Sequence, residues 1–296
     1  MDEAIVKILI CPHCGIELRQ NGGSLVCSNG HTANIARQGY VSLLGRYSGT
    51  HTADSAEMIA ARERFLATGH FSAVTDAINS ELSKPGLEEV DGAIIDLGTG
   101  SGHYLAAALE AAPDRIGLGV DNSKFAARKA AKCHERAGAI VADIWDGIPV
   151  RTGAGAVIIN VFSPRNGEEI DRILADGGRL IIVTPNPDHL KELIEPFGMI
   201  GVDPDKEARL EKSLGDSADG LESKAVEWKM ELSPDEVVDL VGMGPSAGRL
   251  DQSKMDELLT GLTETTEVTG SVRLSVGTRD ASLASEQEDE AEPDDR

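Results

Sequence analysis

In 296 residues the chain carries 50 acidic against 28 basic side chains, a formal charge of −22, with 41% hydrophobic residues. That length allows one or two domains plus attachments, with enough apolar content for a substantial core. The charge excludes a broadly basic nucleic-acid surface, so any RNA site has to be a local basic patch. Part of the acidity is a tail, since 286–296 holds seven acids and one base. Four cysteines, with no secretory or transmembrane segment, point to a reducing, cytoplasmic setting without membrane contact.

Taken in chain order, the first feature is a metal module. Cys11, Cys14, Cys27 and His31 give C-x2-C-x12-C-x3-H. Thiolates and a neutral imidazole are the ligands of tetrahedral zinc, and Gly15 and Gly30 suit the tight knuckle turns. A disulfide is the alternative, but the reducing compartment argues against it and Cys133 would be left over. Four protein ligands close the site, so the zinc is expected to be structural. His13, between two ligands, is expected to be exposed. The ribbon is assigned residues 1–36.

Residues 37–92 read as a connector and a helical pair over a cleft. Gln38 to Leu44 bends and then extends; the stretch 45–54 is polar and carries Arg46, Tyr47 and His51. Asp54 or Ser55 caps a helix that Gly69 ends, and a second helix spans about 72–82. Phe71 sits between them, read from its position as either a core aromatic or a residue beside the cleft.

From 93 to 185, βα units alternate. Strands are expected at 93–97, 116–120, 138–142, 155–161 and 178–184, with helices near 102–112, 123–136 and 167–175. Such spacing implies a parallel sheet with right-handed crossovers and ligands at the carboxyl ends of the strands. The turn after the first strand is Asp96-Leu97-Gly98-Thr99-Gly100-Ser101-Gly102-His103. Its glycines let the backbone turn sharply and approach a ligand closely. The dinucleotide fingerprint needs its third glycine one residue later, and no lysine ends the turn as a triphosphate cradle requires. Asp121 ends the second strand, where a carboxylate can accept from a ribose diol, and Asp143 follows the third, within reach of an adenine amino group. Any doubly wound nucleotide-binding domain is the plainer reading; a turn and two acids at successive strand ends favour a methyltransferase.

The fourth strand ends at Asn160-Val161-Phe162-Ser163-Pro164-Arg165-Asn166. Asn160 and Phe162 are the candidates to give a substrate base a hydrogen bond and a stacking face. Arg165 is placed to hold a phosphate or the methionine carboxylate; Asn166 is a good helix cap. Trp145 can border the adenine. Cys133 and His134 are expected on the second helix, far from the strand ends, as a packed thiol and a surface side chain. His189 opens a helix after the fifth strand, with a capping or surface role as the alternative to a ligand contact. A strand at 225–232, a helix at 234–242 and a strand at 265–278 would complete the sheet as an antiparallel pair. Residues 198–223 read as a polar excursion, and 281–296 as an acidic disordered tail.

Several segments together carry a family resemblance: the ribbon, Gln38-Gly39-Tyr40-Val41, Asp54-Ser55, Gly69-His70-Phe71, the glycine turn, Asp143-Ile144-Trp145-Asp146, Asn160 to Asn166, Asp188-His189-Leu190 and Met243-Gly244-Pro245-Ser246. In this order they resemble the 23S rRNA guanine-N1 methyltransferases, closest to the subclass with tylosin and mycinamicin resistance enzymes. The resemblance implies a class I S-adenosylmethionine (AdoMet) methyltransferase, Rossmann-like with a mostly parallel sheet over 93–280, behind an N-terminal zinc ribbon. It implies methylation of N1 of a guanine in hairpin 35 of 23S rRNA, beside the macrolide site of the exit tunnel, by a homodimer. Carried over by position, Cys11, Cys14, Cys27 and His31 hold one Zn2+, while Phe71, Gly102, His103 and His189 contact AdoMet. With the strand-end residues, the full expected cofactor set adds Asp96, Gly98, Gly100, Asp121 and Asp143. Phe71 stands where the family often has tyrosine, and Ser42 where asparagine is common. A small-molecule methyltransferase and a non-catalytic RNA-binding protein with a retained cofactor fold remain the rival readings.

Overall fold

The computed structural model describes residues 1–45, 52–201, 220–244, 247 and 265–279. Arg46, Tyr47 and His51, Pro245 and Ser246, most of the 198–223 stretch and the acidic tail lie outside them. Among the described residues, eight strands form one sheet and three form a small second sheet.

The large sheet is built outward from β5 (Ala93–Leu97), whose five residues are all buried. Parallel neighbours flank it: β6 (Gly117–Asp121) and then β7 (Ala137–Val141) on one side, β8 (Gly155–Val161) and then β9 (Leu174–Pro185) on the other. Strands buried on both faces need continuous apolar runs, and 93–95, 139–142 and 156–159 supply them. Chain order reverses between β5 and β8, so a crevice opens at the carboxyl ends of these two strands. Beyond β9, β11 (Thr266–Thr278) pairs antiparallel with it, and β10 (Glu222–Leu232) pairs antiparallel with β11. That arrangement is the class I methyltransferase sheet, with the antiparallel pair where the sequence placed it.

At the other edge stands a strand the sequence reading treated as connector: β4 (Val41–Ser42) adds to β7 in parallel, Val41 opposite Ile140. The ribbon's strands β1 (Arg19–Asn21), β2 (Ser24–Val26) and β3 (Thr32–Asn34) are too short to build a core of their own. They share the sheet's core instead. Ile5 and Val6 of the short helix α1 (Glu3–Lys7), with Leu9, Leu18 and Leu25, pack in one cluster with Leu118, Val120, Ile140 and Val150.

Helices α2 (Ala56–Ala67) and α3 (Ser72–Leu82) precede the sheet; Ser55 caps the first, its side chain accepting from Met58 N at 3.2 Å. α4 (His103–Ala111) follows the glycine turn. α5 (Lys124–Ala130) stops six residues short of the expected helix end. The chain must turn back there to enter β7, so Cys133 and His134 lie in a turn rather than on a helix. α6 (Gly167–Ile173), capped by Asn166, leads directly into β9, which starts four residues before its expected start. α7 (Lys191–Ile194) and α8 (Pro234–Gly242) complete the described elements, α8 with a full capping box between Ser233 and Glu236.

Candidate active site and metal centre

The four ribbon ligands converge. One donor atom from each of Cys11, Cys14, Cys27 and His31 lies within 4.8 Å of all the others. Cys14 Sγ and Cys27 Sγ are 3.7 Å apart, and His31 Nδ1 is 3.5 Å from both Cys11 Sγ and Cys27 Sγ. Zinc–sulfur bonds of about 2.3 Å in a tetrahedron need edges of about 3.8 Å, so the set fits one ion. The knuckles form because Gly15 (φ 69°) and Gly30 (φ 82°) take left-handed turns, each amide bonding back to the first cysteine of its knuckle. All four cysteines are free thiols, which removes the disulfide reading. Burial raises the Cys27 thiol, but amide donors of His31 and Asn29 outweigh it and bring it down to about 7. His13 is exposed as expected, its ring edge-on to His31 at 5.2 Å.

At the carboxyl end of β5, Gly98, Gly100 and Gly102 all have positive φ (74°, 53° and 85°). Each is also tightly enclosed. A Cβ on Gly98 would overlap Ser163 Oγ; on Gly100 it would lie 2.9 Å from Arg62 Nη1; on Gly102, 2.8 Å from Cys133 Sγ. The turn is thus gripped by the loop after β8, by α2 and by the turn after α5. Asp96 braces it from below, accepting from Thr99 Oγ1 at 2.7 Å. Burial pushes the Asp96 carboxyl up to about 7, against the Thr99 bond and with the Asp121 charge adding to the rise. Asp121 is raised too, by burial, although it accepts from Ser123 N at 2.8 Å and Gly100 N at 2.9 Å. Asp143 caps the 3-10 turn Ile144–Asp146, accepting from Trp145 N at 3.0 Å, and Trp145 is half exposed above it.

On the other side of the crevice, Asn160 is fully buried and its Nδ2 donates to Leu97 O (3.2 Å) and Pro164 O (3.0 Å). Phe162 is held at φ 52°, a strained value for a residue with a Cβ, and is 40% exposed. Its ring stacks on His189 at 5.4 Å, and Phe71 lies 6.2 Å from Phe162 and 6.0 Å from His189. Trp228 closes this aromatic cup, edge-on to Phe71 at 5.4 Å. His189 Nδ1 accepts from Ser271 N at 3.2 Å. Burial lowers the pKa of His103, at the start of α4, and its Nε2 meets Thr75 Oγ1 at 3.3 Å.

A family model described as RlmA, N-terminal, matches residues 9–45, which hold the ribbon ligands and β4. The Streptomyces fradiae protein named 23S rRNA (guanine(748)-N(1))-methyltransferase is 40% identical over 276 residues, covering 93% of this chain and 98% of its own. A Micromonospora griseorubida protein named as a putative 23S rRNA (guanine-N(1)-)-methyltransferase is 42% identical with the same coverage. The chain belongs to the 23S rRNA guanine-N1 methyltransferase family. It is an AdoMet-dependent methyltransferase with one structural zinc in its ribbon.

In this family member, the residues expected at the site lie at or beneath the carboxyl ends of β5, β6 and β8. Gly98, Gly100, Gly102, His103, Asp96 and Asp121 cluster at β5 and β6; Asn160, Phe162, Phe71 and His189 cluster at β8 and the cup. His189 neither caps α7, whose N-cap is Leu190, nor points out as a surface residue. Two expectations are corrected. Cys133 is not remote from the strand ends but packs on Gly102, where burial and the Asp96 charge push its thiol up to about 12. His134 is not a surface side chain: it is 10% exposed, Nδ1 accepting from Arg136 N and Nε2 3.3 Å from Glu110.

Three residues at the site have no role assigned from the sequence. Arg62 lies over Gly100, paired with Asp54 at 2.7 Å and donating to Met243 O at 2.8 Å. Ser163 sits on Gly98. Trp228 enters from β10, its indole lying over Gly270 on β11, where a Cβ would collide with it. The Trp–Gly pairing across the last two strands was the one clue to this, and it needs the strand register to be read.

Proposed function

We propose that this chain methylates N1 of a single guanine in hairpin 35 of 23S rRNA, beside the macrolide site at the exit tunnel, and works as a cytoplasmic homodimer. Guanine 748, the position in the name of the Streptomyces fradiae relative, is the specific target. The observation that carries this reading is the joint presence, on one core, of the zinc ribbon and the glycine-turn crevice, in a chain aligned with that relative over 98% of its length.

AdoMet supplies a methyl group made electrophilic by a positive sulfur. The chain's own residues bind and orient. Asp121 stands where a ribose diol is held, and Asp143 where the adenine amino group ends. Gly98 and Gly100 bring backbone close to the ligand. Phe71, His103 and His189 border it, with Asp96 stiffening the turn beneath. Phe162, exposed in the cup, gives a splayed-out base a face to stack on. Holding N1 in line with the methyl supplies much of the acceleration. With a formal charge of −22, the phosphate contacts have to come from a local basic patch.

The test is to incubate the protein with AdoMet and total rRNA from a strain lacking the modification, digest to nucleosides and fragments, and locate methylation by mass spectrometry. One N1-methylguanine in the hairpin 35 fragment is expected. Unmodified rRNA, from a protein shown by calorimetry to bind AdoMet, would overturn this reading.

A further inference from the structure

Two buried polar atoms, one at the carboxyl end of β8 and one in the turn after it, lack a hydrogen-bond partner among the described residues: Asn160 Oδ1 and Arg165 Nη1. Asn160 spends its amide donors on Leu97 O and Pro164 O, which fixes its side chain and leaves the oxygen unmatched. Arg165 donates from Nη2 to Ser163 O at 3.3 Å and pairs with no carboxylate among the described residues; burial alone pulls its guanidinium below the usual range. A buried acceptor and a buried guanidinium donor left unmatched are both costly, and finding both at one strand end marks a place for a ligand.

The ligand has to offer an acceptor to one and a donor to the other. A phosphate offers only acceptors and would leave Asn160 Oδ1 unsatisfied. A guanine offers O6 as acceptor and the N2 amino group as donor, one on each side of N1. The amino-acid end of AdoMet also has both, but it has no use for Phe162, which the same turn holds out as a stacking face. A cation already lies over the glycine turn in Arg62.

Resting on the function proposed above, we propose that Arg165 donates to O6 of the target guanine, with Asn160 Oδ1 accepting from its N2 amino group. N1 then faces the methyl group between them. In the reaction the N1 proton leaves to solvent, the N1 lone pair forms the bond to the methyl carbon, and the carbon–sulfur bond breaks with its electron pair going to sulfur. Negative charge is shared between N1 and O6 once the proton is gone, and the Arg165 guanidinium is placed to stabilise it. Arg165 is on this account a catalytic residue that also reads the base.

The test compares wild type, Arg165→Met and Arg165→Lys, zinc-loaded and full-length, in single-turnover methyl transfer to a hairpin 35 transcript across pH, with AdoMet affinity by calorimetry and thermal melting alongside. Wild type is run first; failure to methylate the transcript overturns the proposed function itself rather than the role of Arg165. Given activity, Arg165→Met is expected to lose about 100- to 1,000-fold in rate at saturating AdoMet and RNA. Its AdoMet affinity is expected to stay within about twofold. Its pH profile should move to the alkaline side by at least about one unit, because a cation beside an acid favours the ionised form by roughly that much or more. Asp96, Asp121, His103 and His189 are common to the proteins compared, so the difference between profiles reports the guanine. Arg165→Lys keeps the charge without the fork and should fall between; it carries the test if the Met variant melts early. Superimposable pH profiles would overturn the proposal. So would a weakened AdoMet affinity with an unchanged rate at saturation, which would give Arg165 to the methionine carboxylate. Inosine at the target position, lacking the N2 amino group, should slow the wild type; an unchanged rate would overturn the role of Asn160.

Discussion

The grip of Ser163 on Gly98 gives a sharp test of how the glycine turn is built. Gly98 has φ 74°, and a Cβ there would overlap Ser163 Oγ and Cβ, while Ser163 Cα would remain 3.7 Å away. Gly98→Ala therefore carries two separable costs. The left-handed conformation costs about 1–2 kcal/mol for any residue with a Cβ. Overlap with Ser163 adds about 1–3 kcal/mol, the usual cost of overpacking. Adding Ser163→Gly removes the second cost alone, because 3.7 Å is ordinary contact and the Ser163 carbonyl that Arg165 uses is kept. Thermal melting should show the single variant lowered more than the double, by about 2–4 °C for each kcal/mol of difference. Calorimetry should show AdoMet affinity about tenfold or more weaker in Gly98→Ala and partly restored in the double variant. Ser163→Gly alone should bind AdoMet nearly as wild type does. Equal melting points for the single and double variants would refute the claimed contact.

Cys14→Ser should reduce zinc from one ion per chain to a small fraction, read by metal analysis, and lower the melting point of the whole chain, since the ribbon shares the sheet's core. A full-length fold with an unchanged melting point would contradict that shared core. Asp96, raised to about 7 in the fold, favours folding fully below the ordinary carboxylate range and loses that contribution as pH rises through about 7. Asp96→Asn should therefore gain stability relative to wild type, on the order of 1 kcal/mol between about pH 6 and pH 8, in denaturant titrations; a constant difference would refute the assignment. Gly270→Ala should displace the Trp228 indole from the strand beneath it and open the aromatic cup. Tryptophan fluorescence should change and AdoMet affinity fall; if neither moves, the cup does not border the cofactor.

The parts of the fold that the sequence revealed were those with short-range causes. The buried run at 93–97, the glycines that follow and the spaced ribbon ligands each declare themselves within a few residues, and all stand where expected. The alanines, lysines and arginines of 123–136 favour helix throughout; only the tertiary need to return into β7 ends the helix at Ala130. β4 was hidden because two residues cannot display a strand period; its pairing with β7 is a contact across almost a hundred residues. The same limit applies at the site. Arg62 reaches Met243, Cys133 packs on Gly102 and Trp228 meets Phe71, and none of these pairs leaves a mark in local sequence.

The measurement that bears most directly on the central claim is primer extension across an unmodified transcript of the hairpin 33–35 region, after incubation with the zinc-loaded protein and AdoMet. N1-methylguanine cannot pair and stops the polymerase. The account predicts one new stop, at the guanine matching position 748, that disappears when AdoMet is withheld. Read-through along the whole hairpin, from a protein shown by calorimetry to bind AdoMet, would contradict it.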